Sequence, residues 1–166
     1  MKPSGFTLFE LLITLSVLSV TLSIAVPQLR DSLVQAEVDT TSRLLLASMN
    51  TARHEAIKRN TFVVMRANGR WEDGWVIFVD GNQNAEKDAG EVVLFAQSEQ
   101  SKLQIQGNGT MAGYIGYGGT GRSRQASGAF QAGNLLICSA KRTNKLIVNA
   151  GGRTRAENIA GRVCSN

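Results

Sequence analysis

The N-terminal region of the chain contains an apolar run that any fold must accommodate. From Phe6 to Val26 the only ionisable residue is Glu10, and every other position is Phe, Leu, Ile, Val, Ala, Ser or Thr. As an α-helix this run is roughly 31 Å long, which matches the hydrocarbon core of a bilayer. We therefore expect residues 6–26 to form a transmembrane helix. Because a carboxylate in lipid is costly without a partner, Glu10 predicts a functional contact with another group.

The residues around this run do not fit a cleaved secretory signal. Ala25-Val26-Pro27 is a poor cleavage site, and Glu10 falls inside the apolar core that such a signal requires. The basic Lys2, the block Gly5-Phe6-Thr7-Leu8-Phe9-Glu10 and the apolar helix after them resemble the class III signal of type IV pilins and type II secretion pseudopilins. An ordinary single-pass anchor with an incidental glutamate is the alternative.

This resemblance implies a processing pathway and a filament. Residues 1–5 would be a leader that a prepilin peptidase removes after Gly5, and the new N-terminus at Phe6 would be methylated. Glu10 would pair with the N-terminal amine of a neighbouring pilin subunit, because opposite charges that meet in apolar surroundings avoid being buried unpaired. The precursor would cross the inner membrane once with a periplasmic head, and the assembled subunit would be extracellular in the pilus.

A helical pattern continues beyond the apolar run. Residues 28–58 contain no Gly or Pro, and apolar or small side chains recur there at spacings of three and four. We expect one long helix over residues 6–58, with a kink or an interruption at Pro27 and a stop at Asn60. The predicted buried stripe of its second half consists of Val34, Val38, Thr41, Leu45, Met49, Ala52 and Ala56.

The remaining residues, 59–166, indicate a β-rich head. Short β-rich runs are separated by turns rich in Gly, Asn and Asp, which predicts an antiparallel sheet or a pair of sheets. The fold class is therefore α+β, as in type IV pilins: a long N-terminal helix, with a membrane half and an amphipathic half, packs on an antiparallel β-sheet head. The predicted strands are 61–66, 75–79, 92–96, 103–106, 135–138 and 146–149.

The middle of the chain narrows the resemblance. Residues 71–80, with the sequence Trp-Glu-Asp-Gly-Trp-Val-Ile-Phe-Val-Asp, and the Asn-rich residues after them resemble a block of H-type pseudopilins and of the FimT group of minor pilins. The same region has the ligand spacing of an EF-hand calcium loop. Because Ala85 stands where that loop needs Gly, we expect an Asn/Asp-rich connection without a metal, and calcium stays an open alternative. The spaced residues are Asp80, Asn82, Asn84, Asp88 and Glu91.

The sequence predicts neither an enzyme nor a cofactor. Residues 116–121 match the letters of the G-x-G-x-x-G motif, but no helical pattern follows, and residues 101–156 contain no acid. The only histidine, His54, falls on the predicted helix beside Arg53 and Glu55, where a solvated face is expected. No nucleophile–base pair is apparent. We therefore expect a structural or binding protein.

The charge of the chain is unevenly distributed. Residues 1–100 contain nine Lys/Arg and twelve Asp/Glu, a balance of −3, whereas residues 101–166 contain nine Lys/Arg and only Glu157, a balance of +8. A one-sided field of this kind attracts polyanions. In an oxidising periplasm Cys138 and Cys164 are expected to form a disulfide. Their loop would enclose Lys141, Arg142, Lys145, Arg153, Arg155 and Arg162.

A short arginine motif lies inside this loop. Gly152-Arg153-Thr154-Arg155 follows the predicted strand 146–149, and an extended backbone points Arg153 and Arg155 to the same side. The motif resembles the GRxR element of FimT-type minor pilins, which implies that these arginines bind duplex DNA during natural transformation and that Gly152 shapes the turn. A second Gly-Arg-Ser-Arg occurs at 121–124. The expected accessory contacts are Lys141, Arg142, Lys145, Arg162, Arg122 and Arg124.

The sequence is compatible with two functions. The chain is either a minor pilin that captures DNA through phosphate contacts, or a structural minor pilin or pseudopilin that primes filament assembly without DNA. Both need the same N-terminal helix, so only the C-terminal basic region discriminates between them.

Overall fold

The computed structural model describes residues 7–98, 103–161 and 164. The chain divides into two compact units, Met1–Ala36 and Glu37–Asn166, and helix α1 (Leu8–Arg59) contributes residues to both. The predicted cleavage and methylation residues Gly5 and Phe6, and the predicted accessory residue Arg162, lie outside the described residues.

The described part of the first unit is helical from Leu8 onward. Its hydroxyl side chains bond back to the helix: Thr14 Oγ1 donates to the Leu11 carbonyl at 2.8 Å, and Ser16 Oγ donates to a carbonyl one turn earlier at 2.7 Å. Such bonds give each hydroxyl a hydrogen-bond acceptor, which the lipid hydrocarbon does not offer. By length and composition α1 is able to cross a membrane. Pro27 lies inside α1, so the interruption that the sequence allowed there does not occur.

In the second unit, α1 presents the predicted stripe to the core. The six predicted positions from Val38 to Ala56 are buried, whereas Val34, which belongs to the first unit, is 39% exposed. The helix ends as expected, because Asn60 adopts a left-handed conformation (φ 49°) and the Thr61 N–H donates to the Ala56 carbonyl at 3.1 Å. The buried positions of α1 are Val38, Thr41, Ser42, Leu45, Ser48, Met49, Ala52 and Ala56.

The described part of the head forms two four-stranded antiparallel sheets. The first has the order β3-β2-β1-β5 and the second the order β4-β6-β7-β8. The strands are β1 (Val63–Asn68), β2 (Arg70–Val79), β3 (Val93–Ser98), β4 (Gln104–Gly107), β5 (Tyr114–Tyr117), β6 (Gly133–Cys138), β7 (Arg142–Val148) and β8 (Thr154–Ala160), with a 3-10 turn at Gly109–Met111.

One hydrophobic core joins residues 38–56 of α1 to both sheets. Trp71 and Trp75 of β2 are its largest side chains and are 1% and 0% exposed. The Trp71 indole N–H donates to the Met111 carbonyl at 3.0 Å, so the ring is buried without leaving its donor unpaired. A long helix packed on antiparallel sheets is the fold that the sequence predicted.

The predicted strands are confirmed in position, but the structure has eight strands where the sequence predicted six. All six predicted strands exist with shifted ends, but β5 and β8 were missed, and β2 begins five residues before the predicted Trp75. Gly74 explains the extension, because it has φ 101° and a Cβ there would lie 2.2 Å from the Gln97 carbonyl oxygen. Only glycine lets β2 continue through this position.

Candidate functional site

The predicted disulfide is confirmed. Cys138 at the end of β6 is bonded to Cys164, and the Cys164 N–H donates to Cys138 Sγ. The Thr143 hydroxyl, on the neighbouring strand β7, donates to the Gly161 carbonyl at 2.9 Å. Gly161 and Cys164, which follow β8, are therefore tied to β7 and β6.

The turn between β7 and β8 carries the arginine motif. The Asn149 N–H donates to the Arg153 carbonyl at 3.1 Å, the Arg153 N–H donates to Asn149 Oδ1 at 3.0 Å, and the Gly152 N–H donates to the Asn149 carbonyl at 2.8 Å. Gly152 is buried with φ 78°, a conformation that favours glycine. These hydrogen bonds close the turn and fix the position of the Arg153 backbone.

The hairpin formed by β7, its turn and β8 places three basic side chains on one face. Ile147 pairs with Arg155, and Lys145 pairs with Glu157. Because the alternate residues Leu146 and Val148 are buried in the core, these pairs lie on the opposite, outer face. Arg153 is two residues before Arg155 and lies on the same face. We call Lys145, Arg153 and Arg155 the β8 arginine surface.

The β8 arginine surface lies beside a pocket and beside one acidic residue, Glu157. Ile147, Asn149, Arg153, Thr154 and Arg155 line a pocket of about 420 Å³. Arg155 Nη2 lies 2.9 Å from Oε1 of Glu157, and the two side chains are 71% and 43% exposed. An exposed pair of this kind is weak, so Arg155 keeps most of its capacity to bind another anion.

The second Gly-Arg-Ser-Arg segment lies against the first. A Cβ on Gly152 would be 2.0 Å from the Gly121 carbonyl oxygen, so the two glycines are in direct backbone contact. Arg53 of α1 bridges the two turns, because its Nε donates to the Gly121 carbonyl at 2.8 Å and its Nη2 to the Gly151 carbonyl at 3.5 Å. Sequence reasoning missed this role for Arg53, because contacts 68 and 98 residues away have no local signature.

The two arginines of the second segment differ. Arg122 is exposed, whereas Arg124 is partly buried, with its guanidinium 4.3 Å from the centre of the Phe62 ring and one N–H donated to Gln83 Oε1. A cation above an aromatic face is attracted to it. Arg124 therefore holds its own loop, and Arg122 is the residue of this segment that is presented to solvent.

Of the other accessory residues, Arg142 belongs to a different face. Its Nη2 lies 3.2 Å from Oδ1 of Asp39 on α1, and Asn144 donates to the same oxygen at 3.0 Å and to Ser42 Oγ at 3.0 Å. This network ties β7 to α1, which gives Arg142 a structural role apart from the β8 arginine surface. Lys141 is exposed in the turn between β6 and β7.

The Asn/Asp-rich connection is held by its own hydrogen bonds. Asp80, 1% exposed, accepts the N–H groups of Gln83 and Ala85 at 2.6 and 2.7 Å. The pKa of Asp88 is lowered because the side-chain amides of Asn82 and Asn84 donate to its carboxylate. The oxygens that a cation would need are therefore those that close the loop. Within the described part of the chain, no group of three or more His, Cys, Asp or Glu could hold a metal.

Glu10 takes part in a capping box at the start of α1. The Glu10 N–H donates to Thr7 Oγ1 at 3.2 Å, and the Glu10 carboxylate accepts the Thr7 N–H at 3.3 Å. This reciprocal arrangement satisfies two donors that a helix N-terminus leaves open. The carboxylate thus has a partner within its own chain.

Tyr117 is a buried ionisable group beside Thr154 and Arg53. Burial raises the pKa of Tyr117 to about 12, although the neighbouring Thr154 hydroxyl and the charge of Arg53 lower it. A raised pKa in the folded state means that the stabilisation is complete below the ordinary value of 10 and is lost as the pH rises through about 12.

We therefore expect the free energy of unfolding to fall at high pH because of Tyr117. Relative to Tyr117→Phe, the unmodified chain should lose about 1.4 kcal/mol between pH 8 and pH 11. Fluorescence of the two buried tryptophans during guanidinium unfolding measures this difference. Parallel pH profiles for the two proteins would contradict the assignment.

Two protein-family models and a known relative match the chain. The family model for the type II transport protein GspH matches residues 41–152, and the model for the prokaryotic N-terminal methylation motif matches residues 1–26. The pilin-like protein PilA1 of Thermus thermophilus is 30% identical over 160 residues, which are 95% of this chain and 100% of that protein.

Solved structures share the fold. A crystal structure of the type IV minor pilin FimU from Pseudomonas aeruginosa PAO1 aligns with a TM-score of 0.64 and 16% identity, covering 79% of this chain and 97% of that one. A second crystal form of FimU gives a TM-score of 0.61 at the same identity and covers 76% and 99%.

Proposed function

The chain belongs to the GspH family, as a type IV minor pilin or pseudopilin with an N-terminal methylation motif, and we propose that it binds DNA through the β8 arginine surface. The family assignment agrees with the pilin resemblance of its N-terminus and middle block. These proteins are structural components of filaments and not enzymes. They are anchored in the inner membrane, processed by prepilin peptidase and assembled with other pilin subunits into an extracellular pilus.

The observation that carries the proposal is the common face of Arg153 and Arg155. Both lie with Lys145 of β7 on the outer face of the hairpin that β7 and the edge strand β8 form, beside a pocket that the two arginines help to line. Guanidinium groups bind phosphate oxygens through two parallel N–H donors, and such contacts do not read the base sequence. The surface is therefore suited to the backbone of a duplex of any sequence.

The biological setting follows from the GRxR motif. We propose that the chain is a FimT-type subunit that captures extracellular DNA at the pilus for uptake in natural transformation. Arg153 and Arg155 hold phosphates, Gly152 sets the turn, and Lys145 adds charge. Arg142 is not part of the proposed DNA-binding surface, because it forms an ion pair with Asp39. Movement of the captured DNA would be driven by other proteins.

The N-terminal residues have a separate task in this proposal. Prepilin peptidase cuts after Gly5, Phe6 becomes the methylated N-terminus, and Glu10 pairs with the N-terminal amine of a neighbouring subunit. The capping box between Thr7 and Glu10 gives the carboxylate a partner before assembly. Filament entry and DNA capture are then properties of different ends of the chain.

The binding test uses the full chain in a nonionic detergent and two labelled duplexes of unrelated sequence. We expect equal affinities for both and a slope of log K against log[salt] of about −2.7, since three cations displace counterions. Between about 50 and 200 mM salt the affinity should fall about 40-fold. Fluorescence anisotropy measures both quantities. Preference for one duplex, or binding that ignores salt, would contradict phosphate capture.

A second function has one observation in its favour. Val92 and Val93 are 55% and 47% exposed, and Phe95 is 37% exposed, all on or beside the edge strand β3. Exposed apolar side chains on an edge strand are suited to contact with another subunit. A minor pilin or pseudopilin that primes assembly without binding DNA would need such a surface. The absence of duplex binding at low salt would favour this role.

A further inference from the structure

Two distant turns of the head meet at a contact between glycines. Gly152 of the β7–β8 turn lies against the carbonyl oxygen of Gly121, which precedes Arg122. Both glycines have positive φ, 78° and 74°. A Cβ on Gly121 would itself lie 2.6 Å from Ile57 Cδ1 of α1. The two backbones are therefore as close as they are because neither residue has a side chain.

Arg53 of helix α1 hydrogen-bonds to both of these turns. Its guanidinium donates from Nε to the Gly121 carbonyl and from Nη2 to the Gly151 carbonyl, so one side chain holds both turns. A guanidinium can do this because its donors lie in one plane and point in different directions. The Gly121 carbonyl carbon is bonded to the Arg122 nitrogen, and Gly152 is bonded to Arg153. Arg53 therefore fixes the distance between the starting points of two exposed arginines.

The two arginines of each segment differ in how other side chains engage them. Arg124 is engaged by Phe62 and Gln83, and Arg155 is paired with Glu157. Within the described residues, neither Arg122 nor Arg153 takes part in an ion pair, and both are exposed. The first arginine of each segment is therefore the one that can bind an anion without giving up an existing ion pair or side-chain contact.

We propose that Arg122 and Arg153 bind one DNA backbone segment together, as a pair across the glycine contact, and that Arg53 is the residue that positions this pair. This inference rests on the proposed DNA binding and adds to it a second contributing loop. It makes Arg122 an equal partner of Arg153, and it makes the geometry of the site depend on a helix residue that does not touch DNA.

A double-mutant cycle tests the pairing. Arg122→Gln, Arg153→Gln and the double variant are compared for duplex affinity, again with the full chain in nonionic detergent. Groups that act on one ligand segment as a unit are non-additive. We expect each single change to weaken binding about tenfold and the double change to weaken it about 15-fold, far less than the roughly hundredfold of independent contacts.

The same cycle in an Arg53→Met background tests the positioning role. Without the bridge the two arginines should act independently, so their effects should become additive. Arg53→Lys keeps the charge but not the planar fork, so we expect it to behave like Arg53→Met in the cycle. A role for Arg53 in general stability would lower the unfolding midpoint without changing the coupling. The lysine variant also keeps the test valid if Arg53→Met does not fold.

The outcomes separate this inference from the proposed function. Additive effects in the unmodified background would overturn the pair while leaving DNA binding by Arg153 in place. Coupling that survives in both Arg53 variants would overturn the positioning role alone. If neither Arg122 nor Arg153 affects duplex binding, the proposed function itself fails.

Discussion

Glu10→Gln is expected to remove the chain from filaments. If the carboxylate pairs with the N-terminal amine of a neighbouring subunit, a neutral amide leaves that amine unpaired in apolar surroundings. Incorporation should fall more than about tenfold, because leaving one partner of a buried ion pair alone costs several kcal/mol. The measurement is the amount of this chain in sheared filaments relative to the membrane fraction, in cells that lack their own copy.

Thr7→Ala is the matched control for this experiment. Glutamine can still accept the Thr7 N–H, so Glu10→Gln keeps much of the capping box while it removes the charge. Thr7→Ala does the reverse: it removes the hydroxyl that accepts the Glu10 N–H and keeps the carboxylate. We expect Thr7→Ala to assemble nearly normally. If Thr7→Ala is excluded and Glu10→Gln assembles, Glu10 acts as a helix cap and not as a partner for another subunit.

Gly152→Ala should cause a large loss of both stability and duplex affinity. The new Cβ would lie 2.0 Å from the Gly121 carbonyl oxygen and 3.1 Å from Arg53 Nε, in a backbone with φ 78°. Because backbone atoms on both sides must move, we expect a destabilisation of about 3 kcal/mol. Duplex affinity should fall about tenfold or more, since the turn no longer presents Arg153 in place. Tryptophan fluorescence and anisotropy measure the two effects.

Substitutions at two other glycines separate the effect of the steric contact with Gly121 from the effect of the positive φ. Gly151→Ala lies in the same turn, and its Cβ would lie 3.2 Å from Asn149 Oδ1, the acceptor of the Arg153 N–H, so we expect smaller losses in both measurements than for Gly152→Ala. Gly161→Ala has φ 83° and open space around the new methyl, so it reports the backbone cost alone, about 1 kcal/mol. If Gly152→Ala behaves like Gly161→Ala, the contact with Gly121 does not constrain the site.

Periodic features of the fold could be predicted from the sequence because each is a local physical signal. The apolar run and the stripe from Val38 to Ala56 repeat with the helical period, and Asn60 tolerates the left-handed conformation that ends α1. The pairing of Cys138 with Cys164 followed from their number and from an oxidising compartment. These predictions needed no knowledge of which segments meet.

The missed features depend on contacts between distant segments. β8 has the sequence Thr-Arg-Ala-Glu-Asn-Ile-Ala, and it is a strand because β7 pairs with it along its whole length. Edge strands carry charges of this kind, and these charges hide the β pattern. Arg142 was grouped with the basic residues although Asp39 engages it. The meeting of Gly121, Gly152 and Arg53 likewise exists only in the folded chain.

The most direct test of the DNA-binding proposal compares two double variants with the same change in net charge. Arg153→Gln with Arg155→Gln removes two cations from the β8 arginine surface, whereas Lys58→Gln with Arg70→Gln removes two exposed cations elsewhere. Measured with the full chain and one duplex at low salt, the first should lose about 30-fold in affinity and the second less than about threefold. Equal losses would mean that DNA responds to net charge alone, and no loss in the first variant would contradict the proposal.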